Sequence, residues 1–363
     1  MSNLNLDNAV ASDMTNAVAD VTVDPLNTDG ATGQKETTWQ NTKWSQQWGY
    51  FNQVPDLKTA IILKSKWHLG RGYTTDNPRT EVILDHIKGM GKDSWLDILK
   101  NMDIIRMVGG DSFAEIVRAE GVIVNLKPLD PGTIKIVVND KGQIIRYEQT
   151  SKNPDDKSVI KFNPEDIFHL SNNRLADQIH GISEVDALEA TIKAANEFFT
   201  DQKLVMHRGA RPMILWKLKT DNTSKINAFV AKIDAARNLG EDMFIPDDED
   251  IVSHEVVQVS LPQGFSSYED ILRGKFYRNI TLPQIVPGAG GQSTESESKV
   301  IYTAHEQIVA AEQLYLETQI WQQLYLRIKL NPPTSFVESL QTDTAKDGSA
   351  AFQSSDVTAG VGR

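Results

Sequence analysis

The sequence predicts an α+β chain in which long amphipathic helices flank a block of short antiparallel strands. Three observations carry this reading. Apolar residues recur at helical 3–4 spacing over several long stretches. Between 113 and 149 the pattern shortens into strand-like runs punctuated by Glu120-Gly121, Asp130-Pro131-Gly132 and Asp140-Lys141-Gly142. The 363 residues, 40% hydrophobic and 24% charged, have a globular composition and suffice to bury a sizeable core.

The elements follow in order. Residues 1–38 contain no aromatic residue and little periodicity, and the stretch from about 335 to 363 is similarly polar, so both ends are expected to be disordered or ordered only on assembly. Trp39, Trp44 and Trp48 mark entry into the folded body. Leu57 to Tyr73 begins as an amphipathic helix and ends at a Gly-rich turn, and Asp93 to Met107 forms the next clear helix. Strand runs are expected at 113–118, 122–126, 133–138 and 143–149, with a further strand pair in SVIKFNPEDIFHL.

A long helix then starts at Ser183, a plausible N-cap with Asp186 three residues on, and its seam runs Val185, Leu188, Ile192, Ala195, Phe199. Continued to Arg208 it would be about 38 Å long at 1.5 Å per residue. A compact segment follows, with strands at 211–219, 243–245 and 251–259 and a helix near 224–238. A helix opens at the capping box Ser266/Glu269 and ends before Pro283. GAGGQSTESESK is expected to be flexible, and a last helix, 302–330, to stop at Asn331-Pro332-Pro333.

Composition excludes several classes of chemistry. Without cysteine there are no disulfides, thiolate zinc sites or cysteine nucleophiles. No apolar run approaches a membrane span, and the N-terminus does not read as a signal peptide. Net charge is −12, with 49 acidic against 37 basic residues, the opposite of the basic footprint that grips nucleic acid.

Candidate sites are few. His169 and His180 lie eleven residues apart near Asp166, Asn172 and Asp177, without a recurring metal-ligand spacing. A Ser-His-Asp reading could use Ser171 or Ser183, but no nucleophile elbow surrounds them. A hydrolase or metal enzyme built on Asp166, His169 and His180 is therefore one reading of this stretch. In the other, Gly181 makes a turn before the Ser183 cap and His180 packs locally. GMGKDS fails as a phosphate loop, since His86 and Asp93 stand where Gly and Ser/Thr are needed and a helix precedes it. GAGG at 288–291 follows a helix and prolines rather than a strand, so it is no dinucleotide fingerprint. Asn279-Ile280-Thr281 fits a glycosylation sequon by chance. RPMILWKLKT sets Trp216 among Arg211, Lys217 and Lys219, which suits base stacking or, equally, a partner-binding edge strand.

Six stretches, in order, carry a resemblance. They are AIILKSKWHLGRGY, WLDILKNMDIIRMVGGDSFAEIVR, NLKPLDPGTIKIVVNDKGQIIRYEQ, IKFNPEDIFHLSNNRLADQIHGISEVDALEATIK, RGARPMIL and FYRNITLPQIVPG. Over roughly Asn52 to Pro332 the chain resembles portal proteins of tailed bacteriophages. Ser183-Glu184 stands where that family usually has Ser-Pro, Arg208 stands where Asn is common, and the region after the last helix is short, so any crown domain is reduced or absent.

The resemblance implies a portal fold: an α/β wing, a two-helix stem, a small α/β clip and a long C-terminal helix. The wing would span 39–180, the stem helices 181–208 and 265–287, and the clip 209–264. Residues 288–301 would hold the tunnel loop and 302–334 the tunnel or crown-side helix. It implies a ring, typically a dodecamer, at one capsid vertex of the virion, assembled in the host cytoplasm. Double-stranded DNA would pass through it without sequence specificity during packaging and ejection. Its partners would be the major capsid protein, the terminase large subunit and head-completion or adaptor proteins. Neither catalysis nor a cofactor nor a membrane is expected. Gln292, Ser293 and Lys299 would face the DNA. Arg211, Trp216, Lys217 and Lys219 would contact clip partners or neighbouring subunits. His169, His180, Gly181 and Ser183 would form the joint between wing and stem. A capsid-associated adaptor that forms no ring is the remaining alternative.

Overall fold

The computed structural model describes residues 36–153, 155, 158–176, 178–210, 213–218, 222–224, 226–228, 230–231, 251–257, 265–284 and 295–333. The chain divides into two compact units, one made of residues up to Leu188 and from Tyr277 onward, the other of Glu189–Phe276.

The first unit begins with strand β1 (Thr37–Gln40), so the last two residues of the arm expected to be disordered are ordered by pairing. The rest of that arm, like the tail from 335, lies outside the described residues. Helix α1 (Trp44–Gln53) stacks Trp44 on Trp48 and Trp48 on Phe51, which accounts for the tryptophan-rich entry. Helix α2 (Pro55–Leu69) starts with proline at its first position, where the missing N–H costs nothing. A short strand, β2 (Tyr73–Thr74), leads to α3 (Pro78–His86), capped by Asn77 accepting from the Arg79 amide at 3.0 Å.

Helix α4 (Trp95–Gly109) has a full capping box, with the Ser94 hydroxyl accepting from the Asp97 amide and the Asp97 carboxylate from the Ser94 amide, each at 3.2 Å. Its buried face carries Trp95, Ile98, Leu99 and Met102 at helical spacing, then Asp103 and Arg106. Strands β3 (Asp111–Ala119) and β4 (Val122–Leu129) form a hairpin through the Glu120-Gly121 turn, with a register shift at Val117/Arg118. Strands β5 (Ile134–Val138), β6 (Ile144–Thr150), β7 (Val159–Phe162) and β8 (Ile167–Ser171) follow.

The strands sort into an antiparallel sheet ordered β1-β5-β6-β7 and a second ordered β4-β3-β8. The strand pair expected within SVIKFNPEDIFHL is therefore not a pair. β7 joins β6 and β8 joins β3, because the 3-10 turn Pro164–Asp166 hands the chain from one sheet to the other.

Helix α5 (Glu184–Ala210) begins in this unit and continues into the second. The return chain supplies α7 (Glu295–Leu324), after α6 (Phe265–Asn279) described below. The last helix thus differs from the expected 302–330 at both ends. It starts seven residues earlier, inside the stretch read as flexible, and stops at Tyr325, whose φ is +57°. The physical reason for the stop is a change of period. Leu326 and Leu330 are buried and Ile328 half-buried, an alternation that suits an extended chain, and β11 (Lys329–Leu330) pairs with β2. The amide of Leu330 donates to the Glu317 carboxylate at 2.6 Å, fixing this reversal.

One core cluster joins α3, α4, the β4-β3-β8 sheet, α7 and the 326–330 strand, with Leu84, Leu99, Phe168, Leu316 and Ile320 fully buried. A second lies against the β1-β5-β6-β7 sheet around Phe113, Ile134, Ile136, Val138 and Ile179.

The second unit holds the later turns of α5, then strands β9 (Met213–Leu218) and β10 (Ile251–Val257), antiparallel with Leu215 opposite Glu255, and most of α6. Phe198 meets Tyr268 edge-on at 5.4 Å, and Leu272 and Phe276 are buried. The strand expected at 243–245 and most of the helix expected at 224–238 lie outside the described residues.

Candidate functional site

The His-Gly stretch that stood out in the sequence is a close-packed junction where α4, β3, β8 and the start of α5 meet. Its geometry follows from two glycines. Gly110 ends α4 at φ +89°, a conformation costly for any side chain, and Gly181 lies against it. A Cβ on Gly181 would fall onto the Gly110 carbonyl and within 2.7 Å of Asn172 backbone atoms. Two backbones therefore run in direct contact, bridged by the Asn172 amide donating to Gly110 at 2.7 Å and the Ile182 amide donating to Asn172 at 2.7 Å.

Asp111, the residue after Gly110, accepts the Gly181 amide on both carboxylate oxygens at 3.0 Å. It also accepts from His169 Nε2 at 2.8 Å. That assignment leaves Nδ1 as the acceptor for the Tyr147 hydroxyl, 3.1 Å away. Burial pushes the Tyr147 hydroxyl far above its ordinary titration range, and the Asp111 charge adds to this. The line Tyr147–His169–Asp111 has the shape of a proton relay, yet its first member keeps its proton at neutral pH. It orders the junction.

Ser183 does act as the N-cap. Its hydroxyl accepts from the amides of Val185 at 3.1 Å and Asp186 at 3.4 Å, and donates to the Val108 carbonyl at 2.6 Å. One hydroxyl thus ties the start of α5 to the end of α4. The Asp186 carboxylate accepts from Gln47 at 2.9 Å. His180 stacks face to face on Trp39, with centroids 4.2 Å apart and planes within 5°.

Beneath the junction lies a charged network that the sequence reading missed. Arg106, 2% exposed, donates to Asp103 at 2.9 Å, Glu312 at 2.7 Å and Asn172 at 3.3 Å, and its guanidinium lies 5.2 Å from the Tyr315 ring centroid. Asp103 also meets His68 at 2.9 Å. Burial opposes both charges, but mutual attraction prevails: Asp103 is held well below the usual carboxylate range and Arg106 above its own. A signal was present in the sequence, because Asp103 and Arg106 occupy the same helical stripe as Leu99 and Met102. Charges on an apolar stripe need partners.

Helix α7 secures the free edge of β8 through side chains. Gln323 accepts the His169 amide at 2.8 Å and donates to its carbonyl at 2.7 Å. Two residues on, the Tyr315 hydroxyl accepts the Ser171 amide at 3.0 Å and donates to its carbonyl at 2.7 Å. These are the outward groups of an antiparallel edge, so two side chains replace a missing strand. A cleft of about 550 Å³ opens beside them, lined by Arg106, Tyr147, His169, Arg174 and Glu312.

The residues proposed for hydrolysis or metal binding are engaged separately. Asp166 pairs with Arg118 at 3.1 Å, His169 with Asp111 and Tyr147, and His180 with Trp39. Among the described residues no cluster of three His, Asp or Glu side chains could hold a metal ion. Of the other expected site residues, Arg211, Lys219, Gln292 and Ser293 lie outside the described residues. Trp216 and Lys217 lie on β9, and Lys299 falls in the first turns of α7 rather than in a loop.

A sequence profile described as phage portal protein matches residues 74–258, just over half of the chain. No curated protein matches it in sequence. Among solved structures, the chain is similar to one in the neck of a native gene transfer agent particle computed with C12 symmetry, with TM-score 0.66, 15% identity and 87% of this chain and 92% of that chain covered. A second likeness, to a gene transfer agent virion chain, has TM-score 0.64, 16% identity and coverage of 89% and 93%. A third is to an HK97-family phage portal protein from Corynebacterium diphtheriae, with TM-score 0.53, 11% identity and coverage of 81% and 97%.

Proposed function

Because the chain belongs to the phage portal protein family and carries the fold of its solved relatives, we propose that it assembles into a ring at one capsid vertex and forms the conduit for double-stranded DNA. The observation that carries this is the outer face of α7. One side of that helix is buried by His305, Val309, Gln313, Leu316, Ile320 and Leu324. The other leaves Val300, Ile308, Leu314 and Trp321 exposed, with Ala304 and Ala311 between them, a stripe at 3–4 spacing. No Lys or Arg occurs from Val300 to Leu326. An uncharged apolar stripe six turns long calls for a neighbour, and a closed ring supplies one to every subunit through a heterologous contact.

The C12 symmetry of the gene transfer agent neck is a property of that particle, and twelve subunits is the number we propose for this ring. The net charge of −12 suits a channel through which DNA must slide rather than adhere. In this reading the ring itself is structural. ATP hydrolysis belongs to a terminase that docks on the clip, residues 209–264, and head-completion proteins replace it after packaging. The junction at His169, His180, Gly181 and Ser183 joins the wing, 39–180, to the first stem helix, 181–208, with 265–287 as the second. Lys299, Gln292 and Ser293 face the DNA, and Arg211, Trp216, Lys217 and Lys219 face clip partners.

Electron microscopy of the full chain, purified alone and after co-expression with capsid components, tests the assembly. Rings with a central channel support it. A chain that remains monomeric under every assembly condition overturns it.

A further inference from the structure

The helix pair α2 and α7 is closed around a buried histidine, His305. His305 is 3% exposed, and neither ring nitrogen has a hydrogen-bond partner among the described residues. Trp67 of α2 lies edge-on to it, with centroids 5.1 Å apart, and Tyr302 of α7 packs on the same indole at 5.6 Å. The Gln313 amide, two turns on, donates to the His68 carbonyl at 2.8 Å, so α7 is bound to α2 on both sides of the imidazole.

The charges around it are unfavourable to a cation. Lys64 and His68 of α2 both act on His305 as repulsive neighbours. Lys64 is paired at 2.7 Å with Glu184 of α5 and reaches Thr281 at 3.5 Å. His68 is paired with Asp103 of α4, which also holds Arg106. Both nearby carboxylates are thus committed elsewhere. Glu306 is the adjacent residue on α7, but consecutive helical positions do not face one another. Burial first, with His68 and Lys64 adding to it, sets the imidazole below its ordinary 6.5.

We propose that His305 is an acid-sensitive latch between α7 and α2, closed while the imidazole is neutral and released when it takes up a proton. The sign follows from linkage. A histidine that is harder to protonate in the fold than in the unfolded chain leaves stability intact above pH 6.5 and removes it progressively as pH falls below that value. The loss continues down to the folded-state pKa, at no more than about tenfold in the folding equilibrium constant per pH unit. The latch concerns the helix pair within one chain and does not rest on ring assembly.

Trp67 supplies the readout, because its indole emission changes when the imidazole packed edge-on against it takes up a proton or moves away. The full chain would be titrated from pH 8 to 5 beside a Trp67→Phe control, so that the difference isolates this indole. Thermal unfolding would be followed over the same range for wild type and His305→Gln. Expected are a step in Trp67 emission with its midpoint below 6.5, abolished in His305→Gln, and a wild-type Tm that falls more steeply with acid than the variant's. Parallel Tm curves overturn the proposal, as does a Trp67 titration that His305→Gln leaves unchanged. If His305→Gln fails to fold, the wild-type titration decides alone, and a midpoint at or above 6.5 overturns the latch.

Discussion

Both carboxylate oxygens of Asp111 lie 3.0 Å from the amide nitrogen of Gly181, seventy residues away. That contact closes the junction between α4, β3, β8 and α5, and it requires that residue 181 carry no side chain. Gly181→Ala is expected to destabilise by about 1–3 kcal/mol or more, since the neighbours are backbone atoms that cannot yield. Gly49→Ala, on α1 with open space where the Cβ would go, is the contrasting change. It should be neutral or stabilise by about 0.5–1 kcal/mol. Chemical denaturation of the two variants side by side reads the difference.

Arg106, itself buried, neutralises the buried Asp103 and the partly exposed Glu312. Arg106→Met should cost about 3–5 kcal/mol, because Asp103 and Glu312 are left without their cation. Glu312→Gln, at a residue partly exposed, should cost clearly less. The network also sets an acid dependence. Asp103 is held below its ordinary 3.8 against the opposing effect of burial, so its contribution is complete above that pH and drains away as pH falls further. Asp103→Asn should be less stable than wild type at neutral pH and lose less between pH 4 and 2. This window lies below that of His305, so the two effects are separable in one set of Tm measurements.

Gln323 stands in for a strand at the β8 edge. Gln323→Ala leaves the His169 amide and carbonyl without partners and should cost about 1–3 kcal/mol. Amide exchange at His169 should accelerate more than at Phe113, the neighbour paired with it inside the sheet. Equal protection at both positions would contradict the edge role. Tyr315→Phe should act in the same way on Ser171.

The outer stripe of α7 makes a separate prediction about assembly. Leu314, 64% exposed, contributes nothing to the core of its own chain. Leu314→Glu should leave the unfolding free energy of the unassembled chain within about 0.5 kcal/mol of wild type while abolishing rings in electron micrographs. Retention of rings by this variant would move the subunit contact to another surface.

Much of the first unit was legible in the sequence because its signals are local. The β3–β4 hairpin follows from alternation around Glu120-Gly121, and α4 follows from Ser94, Asp97 and a regular apolar stripe. The Ser183 cap was legible for the same reason, although Asp186 turned out to serve Gln47. Less legible were features that depend on chain segments far apart. The division of β7 and β8 between two sheets cannot be read from strands that look alike. The end of α7 at Leu324 is likewise not local: the proline pair downstream suggests a later stop, whereas Tyr325 at positive φ and the burial of Leu326 and Leu330 set the boundary.

The sequence by itself determined the α+β class, most helix and strand positions, the absence of cysteine chemistry and, through six ordered stretches, the portal resemblance. These properties rest on period, capping and turn residues, which act over a few neighbouring positions. The tertiary structure alone decided what His169, His180 and Gly181 touch. Asp111, Tyr147, Trp39 and Gln323 are distant in sequence, and only folding brings them to these side chains. These side chains lie in a close-packed stretch where backbones meet and where Asp111, His169 and Tyr147 are bonded to one another.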